Sequence, residues 1–258
     1  MIRNATALDK NNVLQFCKDT FSWEDYIDQV WDYWLTEGNL FVIANKGIVG
    51  ICHSYFSENQ IWIEGIRIKP DNRRQKIATS LVNHAEKIGK KRNIQFSFML
   101  IDTTNKHSLL MANSLNYRIF ESWNFYSLIP KRKKNYDISF AKSLDLNFTH
   151  YVKSWRWLPL DNNTLNSLLH ENRIVRTNER DNYSFAILSD SEHFDKTLIV
   201  TLFSNSDPST LQILSYLQNY GIEKDYQRIQ ILSKEDLPNF DLLEKKISFH
   251  LMKKSLFS

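Results

Sequence analysis

At 258 residues, 42% hydrophobic and 24% charged, the chain is long enough for two domains and ordinary in composition for a globular protein. Six glycines and five prolines exclude long flexible tracts, and a net charge of +4 is too small to imply a nucleic-acid partner. Two cysteines, Cys17 and Cys52, exclude a disulfide framework and a cysteine-only metal site, so the expected compartment is reducing and cytoplasmic, with no metal.

The N-terminal "MIRNATALDKNNVL" lacks the apolar core of a signal peptide, and no run of about 18 apolar residues follows, so no membrane span is expected. "MIRNATAL" reads as a first strand. Residues 10–21 and 24–37 read as helices, with Asp9 and Ser22 as candidate caps and Gly38 just past the second end. "LFVIANKGIVGICHSYFS" reads as two strands about the Asn45-Lys46-Gly47 turn, and "QIWIEGIRIK" as the next strand.

Ile63-Glu64-Gly65-Ile66-Arg67-Ile68 alternates and stops at Pro70. A polar loop with Arg73, Arg74 and Lys76 follows, then a helix over roughly 73–92 with Ile77, Leu81, Val82, Ala85 and Ile88 at helical spacing. Strand, basic loop and helix make an anion site, because the first-turn amides have no intrahelical partner and the dipole is positive there. Surface cations at an exposed helix start are the alternative. "IQFSFMLID" reads as a buried strand, "NKHSLLMANSLN" as a helix capped by Asn105, and "YRIFESWNFYSLI" as a strand. The order is that of an α/β (α+β) sandwich about one mixed sheet.

"PKRKKN", residues 130–135, reads as a break, with a linker over 131–137 separating a domain over 1–130 from one over 138–258. Beyond it, helix and strand signals recur in a parallel order. "RIVRTN", "YSFAILS", "TLIVTLFS" and "RIQILS" read as strands. "NNTLNSLLHEN" and "DPSTLQILSYLQNYG" read as helices, the latter with Pro208 in its first turn and Gly221 past its end, and "FDLLEKKISFHLMKK" reads as a last helix.

The string "WIEGIRIKPDNRRQKIA" resembles the GCN5-related N-acetyltransferase (GNAT) family, in which a strand ends near a proline and runs into [Arg/Gln]-x-x-Gly-x-[Gly/Ala] at a helix start. Its first part is similar to a subgroup that includes histidine N-acetyltransferase-like proteins. The later "FMLIDTTNKHSLLMANSLNYRIFE" resembles the family's next block, and the likeness covers about residues 1–130. Lys76 stands where the family has its first loop glycine and Ala78 where it has its second. Ala112 stands at the family's usual tyrosine, and Asn116 at its turn glycine.

The resemblance implies the acyl-CoA N-acyltransferase fold, acetyl-CoA as co-substrate and transfer to an amine. It implies that the backbone of Ile66, Arg67 and Ile68 pairs with the pantetheine amides. It implies that Arg73, Arg74, Gln75, Lys76, Ile77, Ala78 and Thr79 hold the pyrophosphate, and that Asn105 bonds the cofactor near the thioester. Glu64, flanked by Trp62 and Ile63 and expected on the face of Ile66 and Ile68, is the candidate base. A salt bridge to Arg67 or a structural hydrogen bond is its alternative role. Ser108 is a candidate acid, with Tyr117, Tyr126 and water beside it, and His53 and His107 are the histidines of this region. Trp23, Asp28 and Trp31, in the acidic aromatic stretch "SWEDYIDQVWDYWLTEG", are candidates for the wall of an amine-acceptor groove. An amphipathic helix with its apolar side packed inward is the alternative. The second half has no basic loop and an aspartate at the matching helix start. It is therefore expected to be a degenerate GNAT-like domain without cofactor, and "KSWRWLPL" is its candidate contribution to the groove. A non-catalytic acyl-CoA-binding or protein-interaction module is the competing function.

Overall fold

The computed structural model describes residues 1–18, 25–57, 59–133, 135–144, 149–178 and 182–257. The first stretch holds β1 (Ile2–Asn4), α1 (Lys10–Cys17), α2 (Ile27–Glu37), β2 (Leu40–Ala44), β3 (Ile48–Phe56) and β4 (Gln60–Ile68). Then come α3 (Ile77–Lys91), β5 (Phe96–Asp102), α4 (Lys106–Ser114) and β6 (Arg118–Leu128). The remainder holds β7 (Ile138–Phe140), β8 (His150–Lys153), β9 (Arg156–Pro159), α5 (Asn162–His170), β10 (Ile174–Thr177), β11 (Phe185–Asp190) and β12 (Thr197–Phe203). It ends with α6 (Asp207–Glu223), β13 (Arg228–Ser233) and β14 (Leu243–Ser255). The mixed α/β class and the element order expected for the first 130 residues are those observed.

Two compact units divide the chain: Met1–Glu121 with His250–Ser258, and Ser122–Phe249. The division falls inside β6 and inside β14, not at residues 131–137. The basic run there is tied within the second unit instead, because Lys131 and Lys133 both pair with Asp241 and the Lys131 amide donates to Gln218 O. Lys134 lies outside the described residues.

In the first unit the strands follow the order β1-β2-β3-β4-β5-β14. β1 to β4 pair antiparallel and β4 to β5 parallel, with α3 as the crossover. The helical spacing of Leu81, Val82 and Ala85 puts them against Ile61, Ile63 and Met99 of the sheet. Met252 and Leu256 of the C-terminal segment complete this core. The opposite side is packed by α1 and α2, through Val13, Val30, Trp31 and Trp34. Asp9 does not cap α1 with its side chain; it reaches back to the Thr6 amide at 2.8 Å and pairs with Arg3 at 2.7 Å. Ser22 lies outside the described residues. Gly38, at φ +86, ends α2 as expected.

A charged group is buried against the α3 core. Glu86 of α3 is 5% exposed and receives the Tyr117 hydroxyl at 2.8 Å and Lys254 Nζ at 2.6 Å. Tyr117 also bonds Ser97 at 2.6 Å. A buried carboxylate needs such partners, and the C-terminal strand supplies the counter-charge.

The second unit repeats the pattern. β10, β11 and β12 pair antiparallel, and β13 pairs parallel to β12 after α6. Two expectations are corrected here, for the 243–255 segment and for Gly221. The 243–255 segment is a strand, not a helix. The stretch "KSWRWLPL" belongs to the β8-β9 hairpin, whose two-residue turn has Ser154 and Trp155 at φ +49 and +64, the mirror-image turn such hairpins favour. Gly221 lies inside α6, because Tyr216, Leu217 and Gln218 carry the buried face on toward Glu223.

Candidate active site

The chemistry-bearing residues of the first unit gather about the C-terminal half of β4. Gly65 sits at φ +63, and the β3–β4 register shifts there: Ile51 faces Arg67, but His53 faces Glu64. Two β4 residues thus stand opposite Cys52, which is a glycine-type β-bulge. The bulge changes side-chain parity. Ile61 and Ile63 face the α3 core, and beyond the bulge Ile66 and Ile68 do. Trp62 and Glu64 therefore share the other face with Arg67. The expectation that Glu64 lies on the face of Ile66 and Ile68 is corrected: one inserted residue reverses the alternation.

On that other face Glu64 is 14% exposed and both of its oxygens are engaged. His53 Nδ1 lies 2.8 Å from Oε1, and Trp62 Nε1 donates to Oε2 at 3.1 Å. Arg67 turns to Asp25 instead, with Nε and Nη2 at 2.7 and 3.1 Å, and Nη1 donates to Ile66 O at 3.1 Å. Burial opposes the Arg67 charge, but Tyr26 and Asp25 more than offset it, so its proton is held more tightly than usual. Cys52 is no nucleophile: burial pushes its thiol up to about 12.

Past the bulge β4 loses its second neighbour. The parallel ladder runs from Gln60↔Phe96 to Ile63↔Met99 and stops, although β4 continues to Ile68 and β5 to Asp102. The strands part there, and beyond Ile63 the Ile66 and Ile68 carbonyls accept from the Arg67 and Arg73 side chains instead of from β5. Because the two strands are parallel, the helices after them, α3 and α4, start at the same edge of the sheet.

At that edge Pro70–Asn72 forms one 3-10 turn, closed by the Arg73 amide on Pro70 O. Arg73 Nε donates to Ile68 O at 3.3 Å and Gln75 Nε2 to Asp71 O at 3.4 Å, so both side chains brace the loop. Arg74 and Lys76 sit at φ +62 and +58 with exposed side chains. Lys76 thus holds the left-handed conformation that suits the family's glycine, at a cost of about 1–2 kcal/mol for a residue with Cβ. α3 begins at Ile77, so the amides of Ile77, Ala78 and Thr79 precede the first intrahelical donor, Ser80. Asn105 caps α4 as expected: its side chain accepts the Ser108 amide at 3.1 Å, and Ser108 is half-buried.

The other assignments fare differently. Trp23 lies outside the described residues. Trp31 is fully buried in the core of α1 and α2 and so offers no surface to a groove, and Asp28 is 65% exposed and pairs with Lys10 at 3.1 Å. Tyr117 is locked in the core, with burial and then Glu86 pushing its hydroxyl well above the usual range. Tyr126 belongs to the second unit and its hydroxyl accepts the Leu237 amide. Ala112 is fully buried, and Asn116 takes the left-handed turn at φ +68.

His53 and Glu37 have a part that sequence reasoning gave to neither. His53 is fully buried, its ring stacked on Trp34 at 4.6 Å and 4°. Its Nε2 lies 3.0 Å from Gly38 O and 3.3 Å from Glu37 Oε2. Among the described residues Glu37, His53 and Glu64 also form a cluster of metal-ligand types. The two carboxylates address different nitrogens of one ring, however, which is the geometry of a hydrogen-bonded chain.

In the second unit the matching place is built differently. β12 and β13 stay paired to Thr201↔Leu232, two residues from the end of β12. The start of α6 is filled by hydroxyls: Ser206 caps it, and Ser184 bonds Ser209 at 2.6 Å and Thr210 at 3.1 Å.

Residues 10–117 match the model of the Acetyltransferase (GNAT) family. An acetyltransferase-assigned protein of Thermoplasma acidophilum is similar at 14% identity, over 99% of this chain and 99% of its own, with a TM-score of 0.64. A GCN5-related N-acetyltransferase from Sphaerobacter thermophilus is similar at 11% identity, over 99% and 95%, with a TM-score of 0.66. A protein of Pyrococcus horikoshii, likewise assigned as an acetyltransferase, gives 14%, 99%, 89% and 0.56. No curated protein matches significantly. No helix among the described residues is long and apolar enough to cross a membrane. With its matched segment, splayed β4 and β5, and basic loop into α3, the first unit of this chain is an acetyltransferase domain of the GNAT family.

Proposed function

We propose that the chain is an acetyl-CoA-dependent N-acetyltransferase acting on the amine of a small molecule or amino acid. The observation that carries this reading is the open wedge between β4 and β5, bounded by the bulge at Gly65 and the start of α3. The stretch Ile66, Arg67 and Ile68, which β5 does not pair, suits pairing with the pantetheine amides once the Arg67 and Arg73 side chains yield the Ile66 and Ile68 carbonyls. The amides of Ile77, Ala78 and Thr79, with Arg74 and Lys76 beside them, suit the pyrophosphate. Glu64 is the candidate to take the amine proton, and Ser108 or water to protonate the leaving thiolate. Asn105, engaged as a helix cap, borders the same edge. The "WIEGIRIKP" string supports a place near the histidine N-acetyltransferase-like subgroup, and two buried free cysteines support a reducing, cytoplasmic setting. The second unit, with its paired strands and hydroxyl-filled helix start, is read as a degenerate repeat that binds no cofactor.

Acetyl-CoA at about 100 times its dissociation constant should stabilise the fold by about 2.7 kcal/mol. Calorimetry should find one site per chain, and thiol release should depend on an added primary amine. No melting shift at saturating cofactor refutes the reading. Ala112, at the family's tyrosine, favours the competing one, a non-catalytic acyl-CoA-binding module. Cofactor binding without amine-dependent thiol release would support that alternative.

A further inference from the structure

We propose that His53 and Glu37 are positioning residues for Glu64, a role that rests on Glu64 being the base in the reaction above. His53 is fully buried and lies flat on Trp34, which is itself 1% exposed, so the imidazole has one orientation. Gly38 O, 3.0 Å from Nε2, can only accept, so Nε2 carries a hydrogen, and Glu37 Oε2 at 3.3 Å adds a second acceptor there. Nδ1 then faces Glu64 Oε1 at 2.8 Å, a contact that must hold one proton, because two lone pairs at that distance repel. Trp62 fixes the other oxygen. The carboxylate plane of Glu64 is thus set from β3 by a chain that starts at the C-terminal end of α2.

The surroundings bear on its titration. Glu37, whose Oε1 receives the Tyr33 hydroxyl at 3.4 Å, faces His53 from α2. Glu64 faces it from β4, the Arg67–Asp25 pair and Tyr26 lie on the face of Glu64, and Cys52 is the chain neighbour. Where Glu64 is ionised, as a base must be, the proton of this contact lies on Nδ1, and loss of the ring removes a hydrogen bond to that ionised form. The acid limb of the rate profile should therefore move to higher pH.

The test compares wild type with His53→Phe, His53→Asn and Glu37→Gln. Phenylalanine keeps the stack and loses both nitrogens, whereas the asparagine amide can stand near the position of Nδ1. Acetyl-CoA affinity is measured by calorimetry, and thiol release with a panel of free amino acids and polyamines across pH. His53→Phe should lower kcat roughly a hundredfold, the loss that a misplacement of about 1 Å brings. Its KM and acetyl-CoA affinity should be little changed, and its acid limb should rise. His53→Asn should recover most of kcat, and Glu37→Gln should raise the limb with a smaller fall in kcat. Wild-type kcat and limb in His53→Phe overturn the proposal. If that variant fails to fold, an unmoved limb in Glu37→Gln overturns it. Wild type that binds acetyl-CoA but releases no thiol with any amine sinks the base reading and the proposal with it, whereas normal wild-type turnover with unaltered variants sinks the proposal alone.

Discussion

Replacing Gly65 with Ala tests the device on which the site depends. Two penalties apply. The left-handed backbone at φ +63 costs a residue with Cβ about 1–2 kcal/mol. The added Cβ would also stand 2.3 and 2.5 Å from two carbons of the Trp34 ring. That ring cannot step aside cheaply, because it is buried in the α1–α2 core and stacked on His53. Overpacking of this kind costs about 1–3 kcal/mol. Urea unfolding should therefore show a loss of roughly 2–5 kcal/mol. Acetyl-CoA affinity should also fall, even where the variant is folded, because relief of the overlap moves either the bulge or Trp34. A Trp34→Leu background separates the two penalties. There the same glycine substitution should cost only the backbone part, about 1–2 kcal/mol. An equal loss in both backgrounds would refute the steric argument, and no loss in either would refute the bulge.

Four further outcomes follow from named contacts. Arg74→Ala should weaken acetyl-CoA binding about tenfold or more, as loss of a charge-assisted hydrogen bond does, and leave the cofactor-free melting temperature unchanged because the side chain is exposed. Lys76→Gly should raise that melting temperature by relieving about 1–2 kcal/mol of left-handed strain. Calorimetry then decides whether the lysine grips phosphate (binding weakens) or crowds it (binding tightens). The Arg3 hydrogen bond holds the Asp9 carboxyl down at about 2, against 3.8 ordinarily. Its folded value is thus the lower one, and the pair contributes roughly 2 kcal/mol that is present above about pH 4 and lost as the pH falls toward 2. Asp9→Asn should cost about that much at neutral pH, and the gap between the two urea midpoints should close in acid. A chain ending at Phe249 should lose its first unit to proteolysis, because Glu86 then lacks Lys254 and the core lacks Met252 and Leu256. The lost charge pair alone is worth about 3–5 kcal/mol, and Lys254→Met should be milder than the truncation.

What the sequence disclosed is what short-range periodicity encodes. Leu81, Val82, Ala85 and Ile88 mark a helix at 3.6 residues per turn, Asn105 marks a cap, and Pro70 ends a strand; each signal lies within a few residues of its effect. β14 failed that test for a definable reason. Leu243, Ile247 and Leu251 recur every four residues, a spacing that a helix and a strand face both satisfy. The arbiter was the strand's neighbour in the sheet, more than a hundred residues earlier in the chain. Lys131 and Lys133 are likewise placed by a residue far along the chain, since both pair with Asp241.

The site divides along the same line. The basic loop proposed for the pyrophosphate is contiguous, so its residues stand together in the sequence. The setting of Glu64 is not contiguous. His53 is 11 residues away across the β3–β4 pair, and Gly38 O is 15 residues from His53 at a helix end. Neither partner has a local signature, and a lone histidine in a strand reads as packing. One sign of the bulge was nevertheless in the sequence. The isoleucines at 61 and 63 are odd-numbered and those at 66 and 68 even-numbered, and the change of parity spans the only glycine of the strand. A regular strand with one buried face cannot hold all four inside. Either two of them face away from the α3 core or one residue is extra, and a glycine that can take positive φ is where an extra residue fits. Had that parity been followed, Glu64 would have gone to the face of Arg67. Its partners would then have been sought on the neighbouring strand's matching face, where His53 is the polar residue directly opposite.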